Sequence, residues 1–451
     1  MSFLKRFQTS LDSLYKPTGK NRYVIAYSGG IDSLVLLHCF NQANVAVRAV
    51  HVHHGLQAVA DDWVIHCQKT CEQLNIPLDV LYVDAKQKQG ASPEESARNA
   101  RYESLQDNLS GGECLVTAQH LNDQAETLLL QLFRTASSAG LSAMPASRRF
   151  GDFVHIRPLL PFSRKEIENY AKENGLHWIE DPSNQDIAFD RNFIRKDIFP
   201  LLENRWPGVA TQLSTVASLQ SNNLRVLEDM AATDLANVSV LKSNPSRACI
   251  FEIMSMLSIE KLTQLSQSRL LNMLRYWVML TLDIKPTRNL LEEIEKSLIY
   301  SQQDANPDIV FSGYTFRKFQ NNLFLLKNNN NKPALQNDLD WNPASPLTLP
   351  GLNVQLKAVM TNGKGLNKKL LEEPLKISFR KGGEKFHPAE RRHSQSLKKL
   401  LQEEGVPPWE RDVIPLVYFK DELIAVAGLW TSKSFSVGDG ESGWIVGVEG
   451  V

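Results

Sequence analysis

A glycine turn between a predicted strand and a predicted helix is the first feature that could do chemistry. The stretch SGGIDS, residues 28–33, follows the apolar run 22–27 and opens an apolar helical pattern. Backbone N–H groups in such a turn, together with the dipole of the following helix, favour a bound phosphate. The lysine followed by serine or threonine that usually completes a phosphate loop is absent. The turn must therefore bind its phosphate for a different reaction.

A second set of polar residues follows another predicted strand. In LVTAQHLNDQAETLLLQLFR, residues 115–134, His120, Asp123 and Glu126 are spaced by three and cover about a third of a helix's circumference. Two carboxylates and an imidazole suit a cationic amine, which must lose a proton before it can attack. The alternative is a solvated helix start, where Asp and Glu are common. If this strand and the first one flank the switch point of an open sheet, the helix faces SGGIDS across one crevice.

The elements that must position these residues alternate between strand and helix over the first 160 residues. Strands are predicted at 22–27, 45–53, 78–83, 113–118 and 153–157, and helices at 31–42, 58–75 and 92–108. This alternation predicts an α/β fold, in which helices cover both faces of a parallel sheet.

A chain of 451 residues suggests about three domains. We predict a parallel-sheet catalytic domain that binds a nucleotide at residues 1–208. A mainly helical middle domain is predicted at 209–330 and a small α+β domain at 345–451. The middle domain ends in a predicted hairpin with Asn321-Asn322 at its turn.

The overall composition describes an ordinary globular protein. Lys and Arg number 50 against 50 Asp and Glu, so the net charge is zero and any surface for nucleic acid must be a local patch. No apolar run approaches the ~20 residues of a membrane helix, and no membrane partner is predicted. Five scattered cysteines in apolar contexts predict buried thiols in a reducing, cytoplasmic protein. The oligomeric state stays open, a homodimer included.

One basic stretch, residues 380–399, is a candidate for contact with RNA phosphates. Its positive residues outnumber Glu384 and Glu390 by five. The alternative is a solvated charged face. The residues predicted to contact RNA are Arg380, Lys381, Lys385, Arg391, Arg392, Lys398 and Lys399.

SGGIDS resembles the loop of the PP-loop pyrophosphatases, enzymes that cleave ATP between its α- and β-phosphates. The resemblance implies that ATP is the cofactor and that Asp32 holds Mg²⁺ against its phosphates. The implied ATP-binding residues are Ser28, Gly29, Gly30, Ile31, Asp32 and Ser33.

Further segments resemble the tRNA(Ile)-lysidine synthetase family. They are HVHHGLQ (51–57), PEESARNARYESL (93–105), TAQHLNDQAET (117–127), EDPSNQDIAFDRNFIR (180–195) and RKGGEKFHPAERRHSQSLKKLLQEEGVPPWERD (380–412). The resemblance implies an ATP-dependent ligase that attaches L-lysine to C2 of the wobble cytidine of an isoleucine tRNA with a CAU anticodon. ATP adenylates the C2 oxygen, the lysine ε-amine displaces AMP, and codon reading changes from AUG to AUA.

The same resemblance assigns roles to particular residues. Asp123 and Glu126 line the lysine site, with His120 beside them. One arginine of the pair Arg98 and Arg101, and one of the pair Arg191 and Arg195, serves catalysis or substrate contact. Which member of each pair does so stays open.

The chain departs from the family pattern at a few positions. Many members read HH-x-DD where this chain has Gln119 and Asn122 in place of the first His and the first Asp. Any role that needs adjacent aspartates is therefore in doubt. His51, His53 and His54 could suggest a metal site, but no fourth ligand is evident, so a strand end beside the nucleotide explains them better.

Two alternatives from other classes stay open. Another PP-loop enzyme, such as a tRNA 2-thiolase, should carry a closely spaced cysteine pair at the ligand edge of the sheet, whereas Cys67 and Cys71 fall in mid-helix. A non-enzymatic RNA-binding protein with a relict nucleotide fold would not need Asp32, Asp123 and Glu126.

Overall fold

The computed structural model describes residues 1–15, 22–53, 60–83, 93–134, 137–180, 186–240, 251–301, 307–328, 338–352 and 354–450. The chain separates into two compact units, residues 1–226 and 227–451. Each unit is described by itself below.

The first unit is built on a six-stranded sheet. Its strands are β1 (Tyr23–Ala26), β2 (Val47–His53), β3 (Leu78–Tyr82), β4 (Cys114–Val116), β5 (Ser147–Phe150) and β6 (Phe153–Ile156). The order is β3-β2-β1-β4-β6-β5, and all neighbours are parallel except the edge pair β5 and β6. The predicted α/β fold and its five strands are confirmed. Strand β5 was not predicted, because its sequence SRRF carries no apolar alternation.

Helices surround this sheet. They are α1 (Phe3–Asp12), α2 (Ile31–Gln42), α3 (Ala60–Gln73), α4 (Pro93–Asn108), α5 (Leu121–Phe133), α6 (Ser138–Leu141), α7 (Arg164–Glu173), α8 (Asp190–Phe193) and α9 (Phe199–Arg205), followed by α10 (Val209–Val238). One wide helical turn, Ile194–Ile198, joins α8 to α9.

Both faces of the sheet are covered, as the apolar strands require. On β1, Tyr23 and Ile25 belong to a core with Phe7 and Phe40. Val24, between them, points to the opposite face and packs with Leu105 of α4.

The position of β1 between β2 and β4 makes the β1/β4 boundary the switch point of the sheet. The loop 28–33 follows β1 and the segment 117–123 follows β4. The predicted crevice is therefore confirmed, because both segments leave the carboxyl edge of the sheet on neighbouring strands.

The second unit begins with helices and a four-stranded antiparallel sheet of order β7-β10-β9-β8. Its elements are β7 (Ile253–Ser258), α11 (Ile259–Leu262), α12 (Gln267–Leu282), α13 (Arg288–Ile294), β8 (Ile309–Phe311), β9 (Tyr314–Phe319) and β10 (Asn322–Lys327), with a wide helical turn at Glu295–Ile299. The predicted hairpin is present, but the position of its turn was wrong. Phe319 pairs with Asn322, so the turn residues are Gln320 and Asn321, and Gln320 takes the positive φ of 51°.

The rest of the second unit holds two more antiparallel sheets around one core, of orders β11-β15-β18-β19-β20 and β12-β13-β21-β14. Its strands are β11 (Leu339–Trp341), β12 (Leu347–Leu349), β13 (Val354–Asn362), β14 (Leu366–Asn367), β15 (Leu375–Ser378), β16 (Lys385–Phe386), β17 (Gln395–Ser396), β18 (Leu416–Phe419), β19 (Glu422–Val426), β20 (Trp430–Thr431) and β21 (Ser442–Gly450), and its helices are α14 (Leu397–Glu403) and α15 (Pro408–Arg411). Within the described residues, none of the helices has the length and apolar character to cross a membrane.

Candidate functional site

The loop after β1 is held in one shape by its own serines. Ser33 Oγ accepts from the Ser28 N–H at 3.2 Å and donates to the Gly30 carbonyl at 2.9 Å. Gly29 takes φ +84°, and a Cβ there would lie 2.7 Å from Ile179 Cδ1. Gly30 caps α2 without any side-chain hydrogen bond, which leaves the first N–H groups of the helix available for an anion.

Asp32, in the first turn of α2, faces the crevice. Arg164 Nη1 donates to both of its oxygens, at 2.7 and 2.6 Å. Burial raises the pKa of the Asp32 carboxyl, while His120 and Arg164 act in the opposite direction. Mg²⁺ is commonly held by one or two carboxylates plus phosphate oxygens, so a single aspartate beside a phosphate loop fits that ion. Among the residues that the structure describes, no three His, Cys, Asp or Glu side chains form a metal cluster.

His120 links the two halves of the crevice. It caps α5, and its Nδ1 accepts from the Asp123 N–H at 3.4 Å while Asp123 Oδ2 accepts from the His120 N–H at 3.0 Å. Because Nδ1 is an acceptor, the ring proton belongs on Nε2. That nitrogen lies 3.7 Å from Asp32 Oδ1 and 3.5 Å from Asp123 Oδ2.

Glu126, one turn further along α5, is buried between two arginines. Arg191 Nε donates to Oε2 at 2.9 Å, and Arg195 Nε donates to Oε1 at 2.7 Å. Arg195 Nη2 also lies 3.1 Å from Asp123 Oδ1. Burial alone would raise the pKa of Asp123, but the neighbouring His120, followed by the two arginines, lowers it. The solvated helix start that was the alternative for α5 is therefore wrong, because Glu126 is 1% exposed.

The other predicted pair, Arg98 and Arg101, lies on α4 over the ring of Tyr102. Their guanidinium carbons are 5.5 and 5.7 Å from the ring centroid. Burial lowers the pKa of Arg101, and Arg191 is among the charges that add to this effect. The structure therefore places both arginines against Tyr102 and gives neither a contact with Asp123 or Glu126.

Sequence reasoning missed Arg164 and Arg157. Arg164 opens α7 behind the capping box of Ser163 and Glu166, which was the available signal, and its own N–H donates to Asn122 Oδ1 at 3.0 Å. Arg157 is buried after β6 and donates to Gln119 Oε1 at 3.1 Å. Both departures from the family pattern, Gln119 and Asn122, thus have hydrogen-bonding roles at the crevice.

Among the described residues, the histidines at the end of β2 form no metal site. His51 is buried, with Nδ1 3.0 Å from the Tyr27 carbonyl oxygen, and His53 lies 3.3 Å from Asp61. His54 and residues 181–185 lie outside the described residues.

The basic stretch is partly neutralised within the second unit. Arg380 pairs with Asp412 at 3.1 Å, and Lys381 pairs with Asp338 at 3.2 Å. Glu403 pairs with both Arg391 and Lys399. The remaining predicted contacts are exposed and form no ion pair with any described carboxylate; they are Lys385, Arg392 and Lys398.

Three family models match the chain. The model for a PP-loop domain matches residues 3–202, the model for a TilS substrate binding domain matches 257–324, and the model for a TilS substrate C-terminal domain matches 375–448.

Similar proteins cover nearly the whole chain. A tRNA(Ile)-lysidine synthase of Methylococcus capsulatus is 41% identical over 424 residues, which are 92% of this chain and 93% of that protein. One of Coxiella burnetii is 38% identical over 96% of this chain and 94% of its own length. Among solved structures, the U34-tRNA thiolase NcsA from Methanococcus maripaludis is 19% identical and covers 48% of this chain and 79% of its own, with a TM-score of 0.40.

Proposed function

Because the chain belongs to the tRNA(Ile)-lysidine synthase family, we propose that it ligates lysine to the wobble cytidine of tRNA(Ile) with a CAU anticodon. It is an ATP-dependent ligase with a PP-loop domain. The observation that supports the proposal most is that one nitrogen, His120 Nε2, lies 3.7 Å from Asp32 and 3.5 Å from Asp123. These two carboxylates belong to α2 and α5, which begin on either side of the switch point. The two steps act on the same carbon of one base, so the phosphate loop and the acid–base group must share one crevice.

The first step forms the activated RNA. The C2 oxygen of the cytidine attacks the α-phosphorus of ATP, the bond to the β-phosphate oxygen breaks, and pyrophosphate leaves. The loop donates its N–H groups to the phosphates, and Asp32 would hold Mg²⁺ beside them. Mg²⁺, when bound, offsets phosphate charge. Arg164, which contacts Asp32, is placed to contact the same phosphates.

The second step transfers lysine. The ε-amine attacks C2, the C2–oxygen bond breaks, and AMP leaves with that oxygen. Asp123 and Glu126 attract the lysine ammonium, and the Asp123 carboxylate, which lies 3.5 Å from His120 Nε2, accepts the proton that the amine must lose. Arg191 and Arg195 balance the two carboxylates, and both are part exposed, so they can turn to the phosphate of AMP while the ammonium takes their place.

The described cysteines disfavour the thiolase alternative. Burial raises the pKa of Cys39, Cys67, Cys71 and Cys114 to about 12, so these thiols are not thiolates at neutral pH. Cys249 lies outside the described residues. We further propose that the protein acts in the cytoplasm, where its tRNA substrate is found.

The half-reactions provide the test. With ATP and a tRNA(Ile) transcript but no lysine, the protein should release pyrophosphate and leave AMP on the RNA; lysine should then release AMP. Asp32→Asn should slow pyrophosphate release at least about 100-fold, because it removes charge next to the phosphates, and leave tRNA affinity within about twofold. Asp152→Asn, an exposed carboxylate of the same unit, is the control. Pyrophosphate release without tRNA, or at a normal rate in Asp32→Asn, would contradict the proposal.

A further inference from the structure

Four arginines gather around Tyr102 at the carboxyl edge of the sheet. Arg98 and Arg101 come from α4, Arg148 from β5, and Arg157 follows β6. The guanidinium carbons of Arg98, Arg101 and Arg148 lie 5.5, 5.7 and 5.6 Å from the Tyr102 ring centroid. No described carboxylate forms an ion pair with any of the four. We call these four residues with Tyr102 the arginine cluster.

A neutral histidine holds two members of the cluster in place. His155 Nδ1 accepts from Arg148 Nε at 3.2 Å and from Arg157 Nη2 at 3.4 Å. Its Nε2 therefore carries the proton and donates to Thr117 Oγ1 at 2.7 Å, and Thr117 in turn donates to Gln119. Burial, followed by the charges of Arg157, Arg148 and Arg98, lowers the pKa of His155 to about 2. The ring thus fixes the arginines without adding a charge of its own.

The cluster is electrostatically unfavourable by itself. Burial, together with the neighbouring Arg148 and Arg98, lowers the pKa of Arg157 to about 10. The four arginines, Arg98 foremost, lower the pKa of the Tyr102 phenol although burial alone would raise it. An assembly of like charges that is held this firmly is complementary to an anion.

We propose that the arginine cluster binds the phosphodiester backbone of the substrate RNA. The inference rests on the proposed function for the identity of that RNA. Neighbouring strands are about 4.8 Å apart, so β6 and β5 lie roughly 10 and 14 Å from β1. The cluster is therefore too far from β1 to bind the phosphates that the loop 28–33 would hold. Arg98 and Arg148 are exposed, as a backbone passing over the surface requires. Arginine forks suit phosphate oxygens in particular.

Strand β5 offers a matched pair of variants. Arg148 points to the cluster, whereas Arg149, the next residue, points to the other face and contacts the Gly151 carbonyl and Asp152. Both side chains are exposed, and both variants remove one positive charge from the same strand.

The experiment measures the affinity of the intact protein for a tRNA(Ile) transcript with a CAU anticodon, without ATP, at several salt concentrations. Arg148→Ala should weaken binding roughly tenfold at low salt and reduce the log–log salt slope by about 0.7 to 0.9. Arg149→Ala should change the affinity by no more than about twofold and leave the salt slope unchanged. The affinity for ATP without tRNA should be the same in both variants. If Arg148→Ala does not fold, Arg148→Gln, which keeps a donor for His155, should give the same loss.

Three results would overturn the inference. They are an unchanged salt slope in the Arg148 variants, an equal loss in Arg149→Ala, and a loss of ATP affinity with tRNA affinity intact, which would assign the cluster to the nucleotide phosphates. Failure of the proposed function is distinguishable from failure of this inference. If the protein bound this tRNA through Arg148 but formed no AMP, the inference would hold and the proposed reaction would be wrong.

Discussion

At the scale of single residues, Glu126 is a buried carboxylate whose stability depends on its two arginine partners. Its carboxylate is 1% exposed and receives three hydrogen bonds from Arg191 and Arg195. A buried carboxylate is stable only when it is paired and hydrogen-bonded, and removing its charge leaves the two guanidinium groups to share Asp123. The same residue thus supports the local fold and offers a site for a cation.

Glu126→Gln should separate these two roles. We expect a loss of about 2 kcal/mol in the free energy of unfolding, below the range for fully buried pairs because both arginines are part exposed. At a temperature where the variant is folded, adenylated tRNA should persist and the KM for lysine should rise at least about tenfold. Chemical denaturation and steady-state kinetics measure the two effects, and Glu173→Gln, an exposed carboxylate at the end of α7, is the control. An unchanged lysine KM would remove Glu126 from the amine site.

At the scale of elements, the loop after β1 shows how packing fixes a binding site. Gly29 combines a positive φ with contacts to Ile179 and Cys67 that leave no room for a Cβ. Its carbonyl also accepts from the Ile179 N–H at 3.0 Å. The segment after α7 therefore packs against the turn that presents N–H groups to a phosphate and holds its shape.

Gly29→Ala should damage the loop without removing any functional group. The left-handed backbone costs about 1–2 kcal/mol for alanine, and the clash with Ile179 adds to that cost. We expect ATP affinity to fall more than tenfold, because the displaced loop no longer aligns its N–H groups. Gly111→Ala, where a Cβ meets nothing within 4 Å, is the matched control. Nucleotide titration that found equal affinity in both variants would contradict the loop assignment.

His155, on β6, makes the first unit sensitive to acid. Its pKa is about 2 in the folded chain, against the model-peptide value of 6.5, so below pH 6.5 the unfolded chain binds a proton that the folded chain does not. Stability should therefore fall as the pH drops below 6.5, by at most about 1.4 kcal/mol per pH unit from this residue.

His155→Asn isolates that contribution, because asparagine keeps an acceptor for the arginines and has no titratable group. Denaturation midpoints between pH 6.5 and 4.5 should depend on pH less steeply in the variant than in the original chain. Equal slopes would mean that His155 does not stay neutral in the folded protein.

The helices and strands around the site could be predicted from the sequence, but most contacts between their side chains could not. Apolar runs and glycine turns are local signals, so β1 to β4 and the switch point could be derived from them. The pairing of Arg191 and Arg195 with Glu126 joins positions 65 and 69 residues apart, and no local pattern encodes it. Arg157 was missed for the same reason. The capping box of Ser163 and Glu166 marks the start of α7, but it does not indicate that Arg164 contacts Asp32.

At the scale of the whole molecule, catalysis is assigned to the first compact unit, whereas the proposed RNA contacts are distributed over both units. The PP-loop domain lies within residues 1–226, and the basic stretch 380–399 lies within 227–451. The predicted boundaries at 208, 330 and 345 stay predictions. Asp412, Asp338 and Glu403 form ion pairs with other members of the basic stretch, which leaves Lys385, Arg392 and Lys398 without an ion pair to a described carboxylate.

Replacing both Arg392 and Lys398 by alanine should therefore weaken tRNA binding. Each lost phosphate contact should reduce the log–log salt slope by about 0.7 to 0.9, while ATP affinity without tRNA stays unchanged. The double variant of Lys368 and Lys369, two exposed lysines in the same unit, is the control. A slope that is equal in the two double variants would show that this stretch is a solvated face.

The most direct measurement of the central claim is mass spectrometry of the nucleosides of a tRNA(Ile) transcript with a CAU anticodon, after incubation with the protein, ATP and isotope-labelled lysine. The account predicts that the wobble cytidine gains one lysine residue carrying the full label, and that no product forms without ATP. An unmodified wobble cytidine, or one that carries sulfur in place of oxygen, would contradict it.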